Sequence, residues 1–376
     1  MNARLNSLDA FRGFTIAAML LVNNPGDWGH LYGPLAHAKW HGWTFTDWIF
    51  PFFVFISGIS MTISLGRRAA LGDAKPALLV QTLRRGATII VIGLVLNLIP
   101  NFNFAELRIP GVLQRLGLCT MLAAPFVLWL NWRQQLIALL ALLGVYSFLL
   151  LAVPVPDVNG NLLTGSLNAG EDTGAWLDRL LLNGHLWKQA KTWDPEGLLS
   201  TIPAVASQLA GVLAGHWLAS KREPAAKSMG FMVAGLACLW VGQVLDAWLM
   251  PINKSLWTPP YVFAMAGWAC LVFGTCYWLL DAQPSAAMRD RVSRWAKPLL
   301  VFGMNALFLF AVSGLIAKLM AFFKPGGLSL KAWAYQPIQA LGLAPVNASL
   351  LYALCFVAVM YGIAHFMWSK KWFVKV

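Results

Sequence analysis

Apolar positions in this chain do not alternate with polar ones; they run in long blocks. Ten blocks, near 7–24, 45–66, 77–99, 111–130, 133–153, 197–219, 228–249, 260–280, 297–321 and 346–369, each have the roughly 17–25 residues that cross a bilayer as a helix. The third and fourth are the least clean, because Arg84, Arg85 and Arg115 interrupt them. Asn24-Pro25, Pro100, Pro154, Pro251 and Pro325-Gly326-Gly327 follow block ends, where helix breakers belong. The pattern predicts an all-α polytopic membrane protein: one domain over 1–376, a bundle of about ten transmembrane helices, or eleven. Three sizeable loops, 25–44, 154–196 and 322–345, fall on one side of it.

Charge then orients the bundle. With an even number of spans both termini share a side. Fifteen basic residues fall in the short segments on that side: Arg4, Arg67, Arg68, Lys75, Arg133, Lys221, Arg222, Lys227, Arg289, Arg291, Arg294, Lys297, Lys370, Lys371 and Lys375. The much longer opposite loops hold eight: Lys39, Arg108, Arg179, Lys188, Lys191, Lys254, Lys324 and Lys331. Positive residues stay cytoplasmic, so both termini are expected in the cytoplasm. The net charge of +13 is thus a topology signal, with anionic lipid as a secondary partner and no call for nucleic acid.

Composition agrees with the blocks: 59% of residues are hydrophobic and 11% charged, against about 25% charged in soluble domains. Charge at Ser7-Leu8-Asp9-Ala10-Phe11-Arg12 interrupts the start and no A-x-A site follows, so a cleavable signal peptide is not expected. The five cysteines, Cys119, Cys238, Cys270, Cys276 and Cys355, lie in apolar stretches without a CxxC pair. They read as packing residues, not disulfides or thiolate ligands. No internal duplication is evident, which disfavours transporters built from repeated halves. Gly211 and Gly215 form a small-xxx-small pair, a sign of close helix packing.

Candidate chemistry gathers in the first outer loop. His30, His37 and His41 fall within twelve residues, among Asp27, Trp28, Trp40, Trp43 and Asp47. Too few acidic or thiol partners accompany them for a metal cluster, so no metal is expected. Interfacial packing with the tryptophans accounts for His30 and His41. Thr44 and Asp47 stand three apart at a helix start, the spacing of a capping box. Asp194-Pro195-Glu196 reads as N-cap, first-turn proline and first-turn acid of the helix that follows. Arginines in a span need partners: Arg12 has Asp9 three residues earlier, while Arg84 and Arg85 suit either phosphate groups or lipid headgroups. Gln208 and Asn305 sit mid-span and read as interhelical hydrogen-bonders. No P-loop or dinucleotide fingerprint occurs.

A resemblance sharpens these residues. Leu5-Asn6-Ser7-Leu8-Asp9-Ala10-Phe11-Arg12-Gly13 is followed by Val22-Asn23, then His37-Ala38-Lys39-Trp40-His41-Gly42-Trp43-Thr44-Phe45-Thr46-Asp47 and Phe50-Pro51-Phe52-Phe53-Val54-Phe55-Ile56-Ser57-Gly58. Ile109-Pro110-Gly111-Val112-Leu113-Gln114-Arg115-Leu116, Asp194-Pro195-Glu196-Gly197, Asn253-Lys254-Ser255-Leu256-Trp257-Thr258 and Gly303-Met304-Asn305-Ala306 continue in order. This series resembles the heparan-alpha-glucosaminide N-acetyltransferase family, in its bacterial branch. The resemblance implies a multi-pass protein of the bacterial inner membrane that takes acetyl-CoA from the cytoplasm and acetylates an amino sugar presented from the other side. It makes His37 the catalytic residue, as general base or transient acetyl carrier, with Asn23 assisting as an oxyanion donor. Asp47 then either orients His37 or accepts from the substrate amine. Arg84, Arg85 and Arg12 become candidate holders of the coenzyme phosphates, and Arg115, Asp194, Glu196 and Asn305 candidate acceptor contacts. Helix count and charge alone fit a secondary transporter for an amino sugar or another sugar equally well, although midspan acids for a proton relay are scarce. A homodimer stays open.

Overall fold

The computed structural model describes residues 5–374; Arg4 and Lys375, counted above toward the charge bias, lie outside the described residues. Among the described residues, fourteen helices carry the fold, and the strands are confined to a two-residue hairpin, Val155–Pro156 with Leu162–Leu163, in the second outer loop. In chain order the helices are α1 Asn6–Asn23, α2 Phe45–Ala70, α3 Lys75–Leu98, α4 Val112–Trp129, α5 Trp132–Ala152, α6 Thr173–Leu182 and α7 Thr201–Ala219. There follow α8 Pro224–Trp248, α9 Pro259–Ala282, α10 Ala286–Trp295, α11 Lys297–Met304, α12 Ala306–Phe322, α13 Leu330–Gln339 and α14 Pro345–Ser369.

Among the described residues, eight helices are long and apolar enough to cross a membrane, and nine if α11 and α12 count as one bent span. The tenth expected span, α1, is 18 residues long and mostly buried, and it packs against α2, α9, α11 and α14. Its Asn6, Ser7, Asp9, Arg12 and Asn23 keep its hydropathy low. The sequence reading of 297–321 as one continuous helix does not hold. The chain breaks at Asn305, and the two halves meet at 82°. Asn305 has non-helical φ −127° and ψ 35°, and its side chain bonds the backbone of Trp372 and Val374 instead of capping either half.

Burial separates the centre of the bundle from its rim. The spans of α2 and α7 are each 67% buried, whereas α3, α5, α8 and α14 are only 22–33% buried. The rim helices therefore present apolar faces to lipid, which no water-soluble fold tolerates on this scale. Cys355, exposed on α14, is one such outward residue, and all five cysteines are free. In the centre, α2 and α7 meet backbone to backbone: a Cβ on Gly58 would lie 2.1 Å from Gln208 O, and one on Gly211 2.1 Å from Phe55 O. Only glycine permits that approach, the close packing expected of a small-residue seam. Gln208, fully buried, donates from α7 to Ser57 Oγ on α2 at 3.3 Å, so it does bond between helices. The α1 N-terminus is satisfied by another helix: Asp281, at the end of α9, accepts from Asn6 N and Ser7 N at 3.2 and 2.9 Å.

The segment before α7 departs from its sequence reading. The helix starts at Thr201, not at Asp194-Pro195. The carbonyls of Pro195 and Gly197, which a helix would use as acceptors, receive the Arg115 guanidinium at 3.1 and 2.8 Å. Leu198 N donates to Asp178 at 2.8 Å. With both ends of its backbone bonding taken by side chains, the stretch turns instead of coiling.

Candidate active site

The first outer loop folds over the start of α2 and is pinned there by one carboxylate. Thr44 and Asp47 form the capping box their spacing predicts. Asp47 Oδ2 accepts from Thr44 N at 2.9 Å and from Ala38 N at 3.0 Å. Its other oxygen, Oδ1, takes His37 Nδ1 at 2.6 Å. Both roles proposed for Asp47 from the sequence, cap and histidine partner, are thus seen in one group. Its side chain is fully buried while the His37 ring is half-exposed.

That contact sets the histidine's chemistry. An ionised carboxylate only accepts, so Nδ1 carries the proton and Nε2 keeps its lone pair. The pair has the geometry of a base and its orienting acid.

A residue missed among the sequence candidates completes the cluster. Lys254 Nζ lies 3.4 Å from His37 Nδ1 and 4.0 Å from Asp47 Oδ1. Because Nδ1 already donates to Asp47, Lys254 acts on the ring as a neighbouring charge and not as its hydrogen-bond donor. Its loop is held by Asn253, which is fully buried, takes Leu256 N on its side chain at 2.9 Å and gives its own N–H to Thr258 Oγ1 at 3.0 Å. Gly42 N donates to Ile252 O at 2.7 Å, tying this loop to the histidine loop. The signal for Lys254 was present in the quoted block around it; 217 residues of separation concealed the contact.

Other residues singled out from the sequence are distributed differently. Asn23 is exposed at the last position of α1, and no hydrogen bond joins it to His37, whose bond runs to Asp47. His30 pairs with Asp27 at 2.7 Å, and Asn253 Nδ2 lies 3.4 Å from His41 Nδ1. No group of three His, Cys, Asp or Glu able to hold a metal ion is found among the described residues.

Asp194 and Glu196 form a charged knot with Arg108, another residue missed in the sequence. Arg108 Nε and Nη2 meet Asp194 at 2.8 and 2.6 Å, and Nη2 reaches Glu196 at 2.7 Å. The carboxylates hold the Arg108 guanidinium well above its ordinary pKa even though burial opposes this, and Glu196 is lowered against the same opposition, chiefly by Arg108. Arg115 is buried, and bonds Ser200 Oγ besides the two carbonyls; Trp257 covers it at 5.2 Å. It braces the approach to α7 beneath the charged knot.

A cavity of about 440 Å3 lies against α2. Phe53, Ser57, Ser60 and Ser64 line it with Arg12, Arg85 and Asn305. Six residues separate Asp47 from Phe53, a rise of about 9 Å, and the lining positions Phe53 to Ser64 span about 17 Å more. The predicted arginine pair is split: both are exposed, but Arg85 lines this cavity, whereas Arg84, one position earlier on α3, does not. Arg12 Nη2 donates to Ser60 at 3.3 Å and Nη1 to Asp9 at 3.2 Å. Asn305, an acceptor candidate from the sequence, lines the same cavity as Arg12 and Arg85.

Comparison with known proteins identifies the family. The family model for the catalytic region of heparan-alpha-glucosaminide N-acetyltransferase matches residues 4–250, which takes in His37, Asp47, Arg85 and the charged knot. The chain is 29% identical to heparan-alpha-glucosaminide N-acetyltransferase of Homo sapiens over 331 residues, covering 74% of this chain and 49% of that protein. The Mus musculus protein is likewise 29% identical, over 335 residues, 74% of this chain and 50% of its own length. The chain thus spans about half the length of the curated relatives it matches. With the model covering well over half of its residues, this multi-pass membrane protein belongs to the heparan-alpha-glucosaminide N-acetyltransferase catalytic family.

Proposed function

We propose that this protein is a transmembrane acetyltransferase of the bacterial inner membrane. It moves the acetyl group of cytoplasmic acetyl-CoA to the amine of a glucosamine-type sugar at the outer face. The observation that carries the reading is the 2.6 Å contact between a fully buried Asp47 and the half-exposed His37 ring. A carboxylate held there by backbone donors fixes one tautomer and leaves Nε2 as base or nucleophile.

In the direct route, Nε2 takes a proton from the amine as its nitrogen bonds the thioester carbonyl carbon. The C–S bond then breaks, and the proton passes to the leaving thiolate. In the carrier route, Nε2 itself bonds the carbonyl carbon and the thiolate leaves; the amine then attacks the acetyl-imidazole, the C–Nε2 bond breaks to return the imidazole, and the proton lost by the amine ends on the thiolate. Both produce one amide and one free thiol. The tetrahedral intermediate carries an oxyanion, and we assign Lys254 and Asn23 to it. Arg12 and Arg85 are assigned to the coenzyme phosphates, as guanidinium forks suit them. We assign the cavity along α2 to the acyl-bearing arm of the coenzyme and the loop held by the charged knot to the sugar.

The test uses purified protein in proteoliposomes with labelled acetyl-CoA and glucosamine. Labelled N-acetylglucosamine should form, and His37→Ala should abolish it. Transfer undiminished by that substitution removes His37 from the reaction. Concentrative glucosamine uptake without acetyl-CoA, and no product, would mean a transporter instead.

A further inference from the structure

A second cavity, of about 460 Å3, lies away from the histidine site. Its walls are α5 and α8, represented by Leu136, Leu140, Val233 and Cys238, and its floor includes Leu213 and Trp217 of α7. Every side chain lining it is apolar apart from the indole N–H of Trp217, which donates to Lys227 O at 2.9 Å. The walls are two of the least buried spans, 28% for α5 and 22% for α8. Leu136, Leu140 and Val233 are 39, 50 and 58% exposed, so the cleft opens sideways toward lipid.

One end of this cleft is strongly basic. Arg133 precedes Leu136 by three residues on α5, and Lys227 precedes Gly230, another lining residue, by three on α8. Lys221 and Arg222 fill the turn between α7 and α8, and Arg222 Cζ lies 5.0 Å from the centre of the Trp217 ring. Glu223 is the one acid in this turn. His216 Nε2 and Gln135 Oε1, 3.0 Å apart, join α7 to α5 at the same level. Four cations against one carboxylate, beside a dry slot, match a ligand with an anionic head and a hydrocarbon tail.

We propose that the cleft is a binding site for one anionic phospholipid, its acyl chain between α5 and α8 and its phosphate on Arg133, Arg222 and Lys227. A zwitterionic lipid would fill the slot but leave the cations without a net counter-charge. A free phosphate would meet the cations but leave the slot empty. The site is independent of the acetyl-transfer reading and is tested without it.

Native mass spectrometry of the delipidated full-length protein is the experiment. Phosphatidylglycerol, phosphatidylcholine with identical chains, and glycerol phosphate are each added in turn. One phosphatidylglycerol per chain should be retained at least tenfold better than phosphatidylcholine, and glycerol phosphate not at all. The Arg222→Gln/Lys227→Gln variant should bring the two lipids within about threefold of each other, and Ala234→Trp, which fills the slot, should abolish retention. Thermal unfolding of both variants without added lipid checks that each is folded. Equal retention of the two lipids by the unaltered protein, retention undiminished in folded Ala234→Trp, or a cleft occupied only by a second copy of the chain would overturn the proposal.

Discussion

Asp47 can be altered in two ways whose outcomes separate chemistry from scaffolding. Asp47→Asn keeps the shape and one oxygen, which can still serve Ala38 N and Thr44 N, now 3.0 and 2.9 Å from Oδ2. The amide nitrogen then faces His37 Nδ1, two donors at 2.6 Å, so the ring must shift its proton to Nε2. A base with its lone pair on the wrong nitrogen cannot take the amine proton, and acid–base catalysis contributes about 10²- to 10⁴-fold. Acetyl transfer should therefore fall by that factor, while thermal unfolding of the detergent-solubilised protein changes little. Asp47→Ala removes the acceptor from both backbone N–H groups, at about 1–3 kcal/mol each, so roughly 2–6 kcal/mol of stability should go with the activity. The assay is release of the coenzyme thiol from acetyl-CoA in the presence of glucosamine, with an unfolding scan on the same samples. An Asp47→Asn protein within threefold of the unaltered rate would refute the tautomer argument, whatever its stability.

Arg108→Gln leaves two buried carboxylates facing each other without their cation, and breaking such a pair costs about 3–5 kcal/mol; Arg108→Lys should not restore it, lacking the fork, as unfolding scans will show. Asp178 is raised to about 7, first by burial, then by Asp194 and Asp172, so the folded state binds its proton more tightly than the unfolded chain, and the resulting stability is lost as pH rises from about 4 toward 7. Asp178→Asn should thus be stabilising at pH 8, by at most about 4 kcal/mol, and nearly neutral at pH 4, in paired unfolding scans. Gly303→Ala places a Cβ 1.9 Å from Asp9 O and should force α1 from α11, losing about 1–3 kcal/mol and weakening acetyl-CoA binding by calorimetry, since Arg12 stands on that seam.

The spans and their order were legible because a bilayer demands long apolar blocks, and no tertiary context changes that demand. His37 was singled out by the family resemblance and Asp47 by its capping-box spacing; ten residues apart, they are brought together by the same capping box that starts α2. Lys254, though inside a quoted block, and Arg108 were not recognised as site residues, because contacts so distant in sequence leave no local pattern. Their partners are 217 and 86 residues away. The break at Asn305 was hidden for another reason. The apolar run continues through it, and what stops the helix is the backbone of Trp372 and Val374 bonded to the asparagine.

The knot of Arg108, Asp194 and Glu196 has a history as well as a geometry. Its guanidinium leaves the ribosome 86 residues before the first of its carboxylates, a delay of about 4–17 s at ordinary synthesis rates. During that interval α4 and α5 are made, while the Arg108 guanidinium still has neither of its carboxylates. Only when α5 has crossed and its long outer loop has followed can the two strands of this clasp close. The Arg108 knot is therefore a late product of biogenesis, absent from any chain arrested before residue 194.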